Sequence, residues 1–258
     1  MKVTVIKTRV VRPPKDDLWE VMKSSVSSVA ERSVVVVTSK VVAIHQGRCV
    51  KREAIEKADL IKREADWYLP MDKFEAKSVP LTIKEGLLIP AAGVDVSNGN
   101  GYYVLWPEKV EEICRQTWEW VRKEYGVSEV GVVVADSHVT PLRWGVTGIG
   151  LGYWGFKSLR DYSEQKDIFG KKSLTWVQAA VVDGIANAGV MVMGEGNEQT
   201  PMAMVEDLVG VEFGEEYGGG LELKEKARYD LFKPLVDKMK WIKGEGGISI
   251  MEITELND

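Results

Sequence analysis

Three places in this chain of 258 residues bring a carboxylate to the end of an apolar run inside a turn rich in glycine and hydroxyl groups. They are Asp95 with Ser97 and Asn98 in the stretch Gly93–Gly101, Asp136 with Ser137 directly after Val130–Ala135, and Glu195 between Gly194 and Gly196. Oxygen donors of this kind suit Mg2+ or Mn2+, which take one or two carboxylates together with water and substrate phosphates. Glycines beside them let backbone N–H groups face phosphate oxygens. Together the three describe a metal and nucleotide-phosphate site, while each alone is also the composition of any tight turn.

Other chemistry finds less support. The chain has two histidines, and His138 follows Ser137 on a strand, where adjacent side chains point to opposite faces and cannot form a nucleophile and base pair. Gly150-Leu-Gly152-Tyr-Trp-Gly155 has GxGxxG spacing, but no helix is expected to open at its third glycine, so close backbone packing explains it better than a dinucleotide fingerprint. Cys49 and Cys114 form no CxxC spacing and read as reduced structural thiols of a cytoplasmic protein. Trp118 and Trp120 read as core or interface residues. Ser39-Lys40, at the end of a strand, either meets a nucleotide or is a solvated strand end.

The elements that must position these residues follow from periodicity. Arg32–Thr38 and Val130–Ala135 are β-branched runs, the pattern of strands buried on both faces. Val110, Ile113, Cys114, Thr117 and Val121 recur at intervals of three and four, which predicts a helix over 108–125 with one buried face. Alternation predicts a first strand over 3–11, and Asp16-Asp17 is expected to cap a helix running to about residue 30. Residues 53–67 read as a charged helix and 79–89 as a hairpin or extended segment. The small apolar stretch 175–193 reads as one packed helix stopped by Gly194. A closing helix is expected over 223–242, with Leu231, Phe232, Leu235, Val236, Met239 and Ile242 on one side, after a surface loop at Gly218–Gly220.

Apolar residues make up 45% of the chain and charged residues 28%, so a sizeable core is available. The net charge of −5 argues against a nucleic-acid footprint. The apolar stretches fall far short of the roughly 20 residues of a membrane span, and the N-terminus lacks a signal-peptide core.

The segments TSKVVAIHQGR, AAGVDVSNGNGYYVLWP, VVVADSHVTPLRWGVTGIGLGYWGFKSLRDYSEQKDIFGKK and VMGEGNEQTPMAMV occur in an order and spacing that resemble the coenzyme F420:L-glutamate ligase (F420-0:gamma-glutamyl ligase) family. The resemblance covers most of 13–205, and the third segment is its most specific part. It implies an α+β fold of mixed sheets with packed helices in an intertwined homodimer. A single ligase-like unit is expected, with one subdomain possible as an insertion into another, and 208–258 as a C-terminal extension. It further implies a cytoplasmic enzyme that uses GTP and a divalent metal to join L-glutamate to the carboxylate of a cofactor. By the same resemblance, a first metal would be held by Asp95 and Asp136, and Ser137 and Glu195 would serve a second. Nucleotide contacts would come from Ser39, Lys40 and Asn98 and from the loop of Met193, Gly194, Gly196, Asn197, Glu198, Gln199 and Thr200. Arg143 is a candidate clamp for a phosphate or substrate carboxylate, because its planar fork binds two oxygens; a structural ion pair is the alternative.

This chain departs from the family pattern at several points. Val96 stands where the family has a second acid, and Ile44, followed by His45, replaces a lysine that contacts phosphate. The acceptor is either a deazaflavin or a folate-like pterin, and a non-catalytic nucleotide-binding homologue remains a third reading.

Overall fold

The computed structural model describes residues 1–70, 79–171, 177–220, 223 and 230–257. In chain order the first elements are strand β1 (Lys2–Ile6), helix α1 (Leu18–Ser25), β2 (Ser33–Thr38), α2 (Ser39–Gln46), β3 (Cys49–Lys51), α3 (Lys57–Glu64) and β4 (Trp67–Tyr68). The hairpin β5 (Leu81–Lys84) and β6 (Leu87–Pro90) leads to β7 (Tyr102–Val104), α4 (Val110–Tyr125), β8 (Val130–Val139) and β9 (Val146–Phe156). The rest is β10 (Leu159–Asp161), β11 (Gln178–Ala180), α5 (Val181–Met193), β12 (Met202–Glu206), β13 (Phe213–Gly219), α6 (Lys233–Val236), β14 (Ile242–Lys243) and α7 (Ile250–Asn257).

Two compact units interleave along the chain. The first comprises Met1–Arg9, Trp19–Thr38 and Lys109–Leu223, and the second Val10–Leu18, Ser39–Glu108 and Lys224–Asp258. The first is built on a six-stranded sheet of order β1-β12-β2-β8-β9-β13. Only the central pair β2 and β8 is parallel, in the register Val35↔Val132 through Thr38↔Ala135. Both strands are buried where their sequences are β-branched, as expected for strands covered on two faces. Val182, Ile185, Ala186 and Met193 of α5 pack with Val34, Val36, Val133, Ala135 and Tyr153. Gly152, one residue before Tyr153, instead meets Val110 and Cys114 of α4. Neighbouring strand residues face opposite ways, so the two helices cover opposite faces of the sheet.

The GxGxxG stretch lies within β9, so it opens no helix and cradles no dinucleotide. Its glycines permit close approach. A Cβ on Gly150 would sit 2.8 Å from the Val182 side chain, and one on Gly155 would sit 2.2 Å from the Val130 carbonyl. Trp118 is buried, its indole donating to that same carbonyl at 2.8 Å.

The second unit has a four-stranded sheet of order β14-β4-β5-β6 and a pair β3-β7. Its core contains Leu60, Ile61, Val94, Tyr103, Leu105, Ile248 and Ile253. Arg48 and Glu64 are fully buried within it. Arg48 donates to both Glu64 oxygens (2.9 and 3.1 Å) and to the Ile248 carbonyl (2.5 Å), and Glu64 accepts the Ile248 amide (3.0 Å). The C-terminal segment is therefore part of this unit's core.

Several expectations need correction. The first strand ends at Ile6, not residue 11, because its pairing with β12 ends at Met202. The helix after Asp17 stops at Ser25. Its first amide, at Leu18, donates to His45 Nδ1 (3.2 Å), while Asp16 folds back onto the amides of Arg12 and Asp17. In the 175–193 stretch, residues 175 and 176 lie outside the described residues, and Gln178–Ala180 is a strand paired with β10 that precedes the helix. Gly218 and Gly219 pair with β9 instead of forming a loop. Of the expected closing helix, 224–229 lie outside the described residues. The remainder holds only the one-turn α6, with Leu231, Phe232 and Leu235 exposed, and Ile242 pairs with Tyr68 in a strand. Among the described residues no apolar surface covers Leu231, Phe232 and Leu235, so that face lacks the packing that sustains a longer helix.

Candidate functional site

In the first unit β8 continues beyond its apolar run, so Asp136 and Ser137 stand on the strand, opposite Ile149 and Gly148 of β9. The Ser137 amide donates to Asp136 Oδ1 at 2.9 Å, and the Ser137 hydroxyl donates to Glu195 Oε1 at 2.7 Å. The Ser137 and Glu195 side chains thus come together where the strand end meets the turn after α5, with Asp136 preceding Ser137 on the strand. Gly194 makes that turn, with φ of 79°, its amide still bonded to the Val190 carbonyl at 3.2 Å.

What holds α5 against the strand was not visible in the motifs. Asp183 and Asn187, four apart and so on one helix face, accept the amides of Gly150 and Gly148, each at 2.9 Å. A shift of register between Val134 and Ala135 disturbs the β8 and β9 pairing at this point. A carboxylate and an amide four apart on an apolar helix, beside a Gly-x-Gly strand, was the available signal. Burial pushes the Asp183 carboxyl above its ordinary range, against the opposing pull of the Gly150 amide and His138. Burial likewise lowers the His138 imidazole, which Asp183 only partly offsets.

The loop from Met193 to Thr200 is closed by its own side chains. Thr200 Oγ1 donates to the Met193 carbonyl at 2.6 Å, and the Gly196 amide donates to Glu198 Oε2 at 2.8 Å. Met193 itself is buried in the core, so its carbonyl, not its side chain, borders the loop. Asn197, Glu198 and Gln199 are exposed. Gln199 has a φ of 58°, and its carbonyl accepts the Thr8 amide at 3.0 Å. Arg143 is exposed in the turn between β8 and β9, its amide bonded to the Thr140 carbonyl at 3.2 Å.

The second unit carries the other predicted residues. The backbones of Asp95 and Val104 exchange two 2.9 Å hydrogen bonds, closing the loop between them. Gly93 opens it with φ of 73°, and a Cβ there would lie 2.3 Å from the Trp106 ring. Within the loop, Asp95 Oδ1 accepts the Ser97 amide and Oδ2 the Ser97 hydroxyl, both at 2.8 Å. Asn98 takes up a φ of 55° and is exposed. Lys40, in the first turn of α2, reaches Asp95 Oδ2 at 2.6 Å, Ser97 Oγ at 2.7 Å and the Ser97 carbonyl at 3.0 Å. Burial works to raise the Asp95 carboxyl, but Lys40 and the Ser97 amide outweigh it and hold it below the ordinary range. Ser39 is buried at the start of the same helix.

Ile44, in place of a phosphate-contacting lysine, is buried with Ala43, Cys49 and Val104, and His45 serves the start of α1. Val96 is exposed in the loop. Among the described residues no group of three or more His, Cys, Asp or Glu is gathered to hold a metal ion. The donors that are present are all oxygens, and Ser137 with Glu195 already brings two of them together, which fits the chemistry of Mg2+ or Mn2+.

A family model described as F420-0:gamma-glutamyl ligase matches residues 5–207. The chain is 29% identical to the coenzyme F420:L-glutamate ligase of Methanopyrus kandleri over 210 residues, which is 76% of this chain and 82% of that protein. With the coenzyme F420:L-glutamate ligase of Halorubrum lacusprofundi it shares 30% identity over 231 residues, 81% of this chain and 87% of the relative. The protein of the same name from Haloarcula marismortui is 35% identical over 145 residues, 56% of this chain and 54% of its own length.

Proposed function

The chain belongs to the F420-0:gamma-glutamyl ligase family, and from that premise we propose that it is a GTP- and metal-dependent ligase that adds L-glutamate to the carboxylate of a deazaflavin cofactor. The observation that carries this reading is the family match across 5–207, a span that includes every residue assigned to the site.

A carboxylate resists attack by an amine, so its oxygen first attacks the γ-phosphorus of GTP. The bond to the β-phosphate oxygen breaks, GDP leaves, and an acyl phosphate forms. The amine of glutamate then attacks the acyl carbon, the carbon–oxygen bond to phosphate breaks, inorganic phosphate leaves, and the amine's proton passes to solvent. No nucleophilic side chain is needed, in keeping with the missing Ser–His pair.

Asp95 in the second unit, and Asp136, Ser137 and Glu195 in the first, would serve as ligands of divalent cations, whose chemistry when bound is to offset negative charge on the phosphates. Ser137 and Glu195, bonded to each other, keep their oxygens in fixed places. Arg143, with no ion pair among the described residues, is free to bind two oxygens of a phosphate or substrate carboxylate. Lys40 supplies the positive charge for nucleotide phosphate that Ile44 cannot. A homodimer is part of the proposal, carried over from the family.

The test is phosphate release measured with GTP, Mn2+, L-glutamate and coenzyme F420-0, omitting each in turn. Release that requires all four is expected, falling by on the order of a hundredfold or more in Asp95→Ala and in Asp136→Ala. Release independent of glutamate, or unchanged in both variants, would sink the proposal.

A further inference from the structure

Lys40 places its ammonium among three oxygens of different kinds: the Asp95 carboxylate at 2.6 Å, the Ser97 hydroxyl at 2.7 Å and the Ser97 carbonyl at 3.0 Å. An ammonium has three N–H donors, and here each has an acceptor. Carboxylate, hydroxyl and backbone carbonyl are also oxygens that hard divalent cations take. The Lys40 side chain is 26% exposed and that of Asp95 41%, so solvent and small ions reach the pair. All of these groups belong to the second unit.

We infer that Lys40 is an exchangeable cation for Asp95: it occupies the carboxylate when metal is absent and gives it up when metal and nucleotide bind together. The inference rests on the reading of Asp95 as a metal ligand and adds an order of events to it. Asp95 Oδ2 already accepts both Lys40 and the Ser97 hydroxyl, and a divalent cation on either oxygen of this carboxylate would be repelled by the ammonium beside it. A metal arriving alone must displace Lys40 into water, losing an ion pair and its hydrogen bonds. A metal arriving with a nucleotide gives the displaced ammonium a phosphate to pair with. Metal and nucleotide therefore bind with positive coupling, and the coupling is carried by Lys40. The buried Ile44 leaves that role to Lys40 within α2, since the helix has no other lysine or arginine.

The experiment is an equilibrium titration of the full chain with Mn2+, free Mn2+ being read by electron paramagnetic resonance, with and without GDP. Wild-type protein should bind Mn2+ weakly alone and more tightly with GDP. Lys40→Met should bind Mn2+ alone roughly tenfold more tightly than wild type and lose most of the gain from GDP, since a coupling of this kind typically spans about 5- to 150-fold. Lys40→Gln, which keeps hydrogen-bonding capacity without the charge, should behave like Lys40→Met, and circular dichroism verifies that both are folded. If either folded variant binds Mn2+ alone no more tightly than wild type, or keeps the full gain from GDP, the exchange is overturned. The metal assignment would still stand if Asp95→Ala abolished Mn2+ binding in that same experiment. Absence of Mn2+ binding to wild type, even with GDP, overturns both.

Discussion

Arg48 and Glu64 hold each other out of water, and each also bonds to backbone of the C-terminal segment at Ile248. Removing Glu64 leaves Arg48 charged and buried with the half-exposed Glu108, at 2.7 Å, as its remaining carboxylate, so the cost should approach about 3–5 kcal/mol, that of breaking a buried pair. Glu64→Ala should therefore destabilise the protein by that amount in urea unfolding, whereas a cost under about 1 kcal/mol would mean the pair is hydrated in solution. Burial also pushes the Cys49 and Cys114 thiols up to about 12, which agrees with reading both as structural. At this scale the sequence showed which side chains were unusual but not what they touch. His45 looked like a departure near a nucleotide site; it accepts the Leu18 amide, a partner 27 residues away that no local pattern encodes. The pairing of Lys40 with Asp95 was equally invisible, although both residues had been singled out.

Helix α5 and the β8–β9 hairpin together place Glu195 beside Ser137, and the contact between them depends on glycine. A Cβ on Gly148 would lie 2.6 Å from the Asn187 Cα and 2.7 Å from the Ala186 carbonyl, both backbone atoms of α5. Gly148→Ala must push the helix away, at a cost of about 1–3 kcal/mol for overpacking. It should also weaken Mn2+ binding, because Glu195 moves with the helix. Gly184→Ala on the same helix is the contrast: among the described residues no atom outside the helix backbone lies within 4 Å of its Cβ position, so alanine should stabilise by up to about 1 kcal/mol. Thermal unfolding of the two variants checks both signs. Periodicity found β2, β8 and α4 because their burial is strong and regular. It missed β11, whose partner β10 is distant in sequence, and joined it to the helix that follows. It also missed α7, although Ser249 and Glu252 form a capping box, Glu252 Oε2 accepting the Ser249 amide at 2.8 Å and Ser249 Oγ accepting the Glu252 amide at 3.3 Å.

Over the whole molecule, the interleaving of two units explains why motif order was more informative than any motif. Asp136, Ser137, Glu195 and Arg143 belong to one unit and Lys40, Asp95 and Asn98 to the other, so no short stretch contains all the residues singled out. The family match ends at 207, yet Ile248 and Ile253 pack in the core of the second unit. The sequence past that point carried too little regular pattern to place. The central claim concerns the bond this protein makes, and product mass reports that bond directly. Incubation with coenzyme F420-0, GTP, Mn2+ and isotopically labelled L-glutamate should give a product heavier by one or more labelled glutamyl residues, with GDP formed alongside. GTP left intact and F420-0 recovered unchanged, under conditions where Mn2+ and GDP bind, would contradict the account.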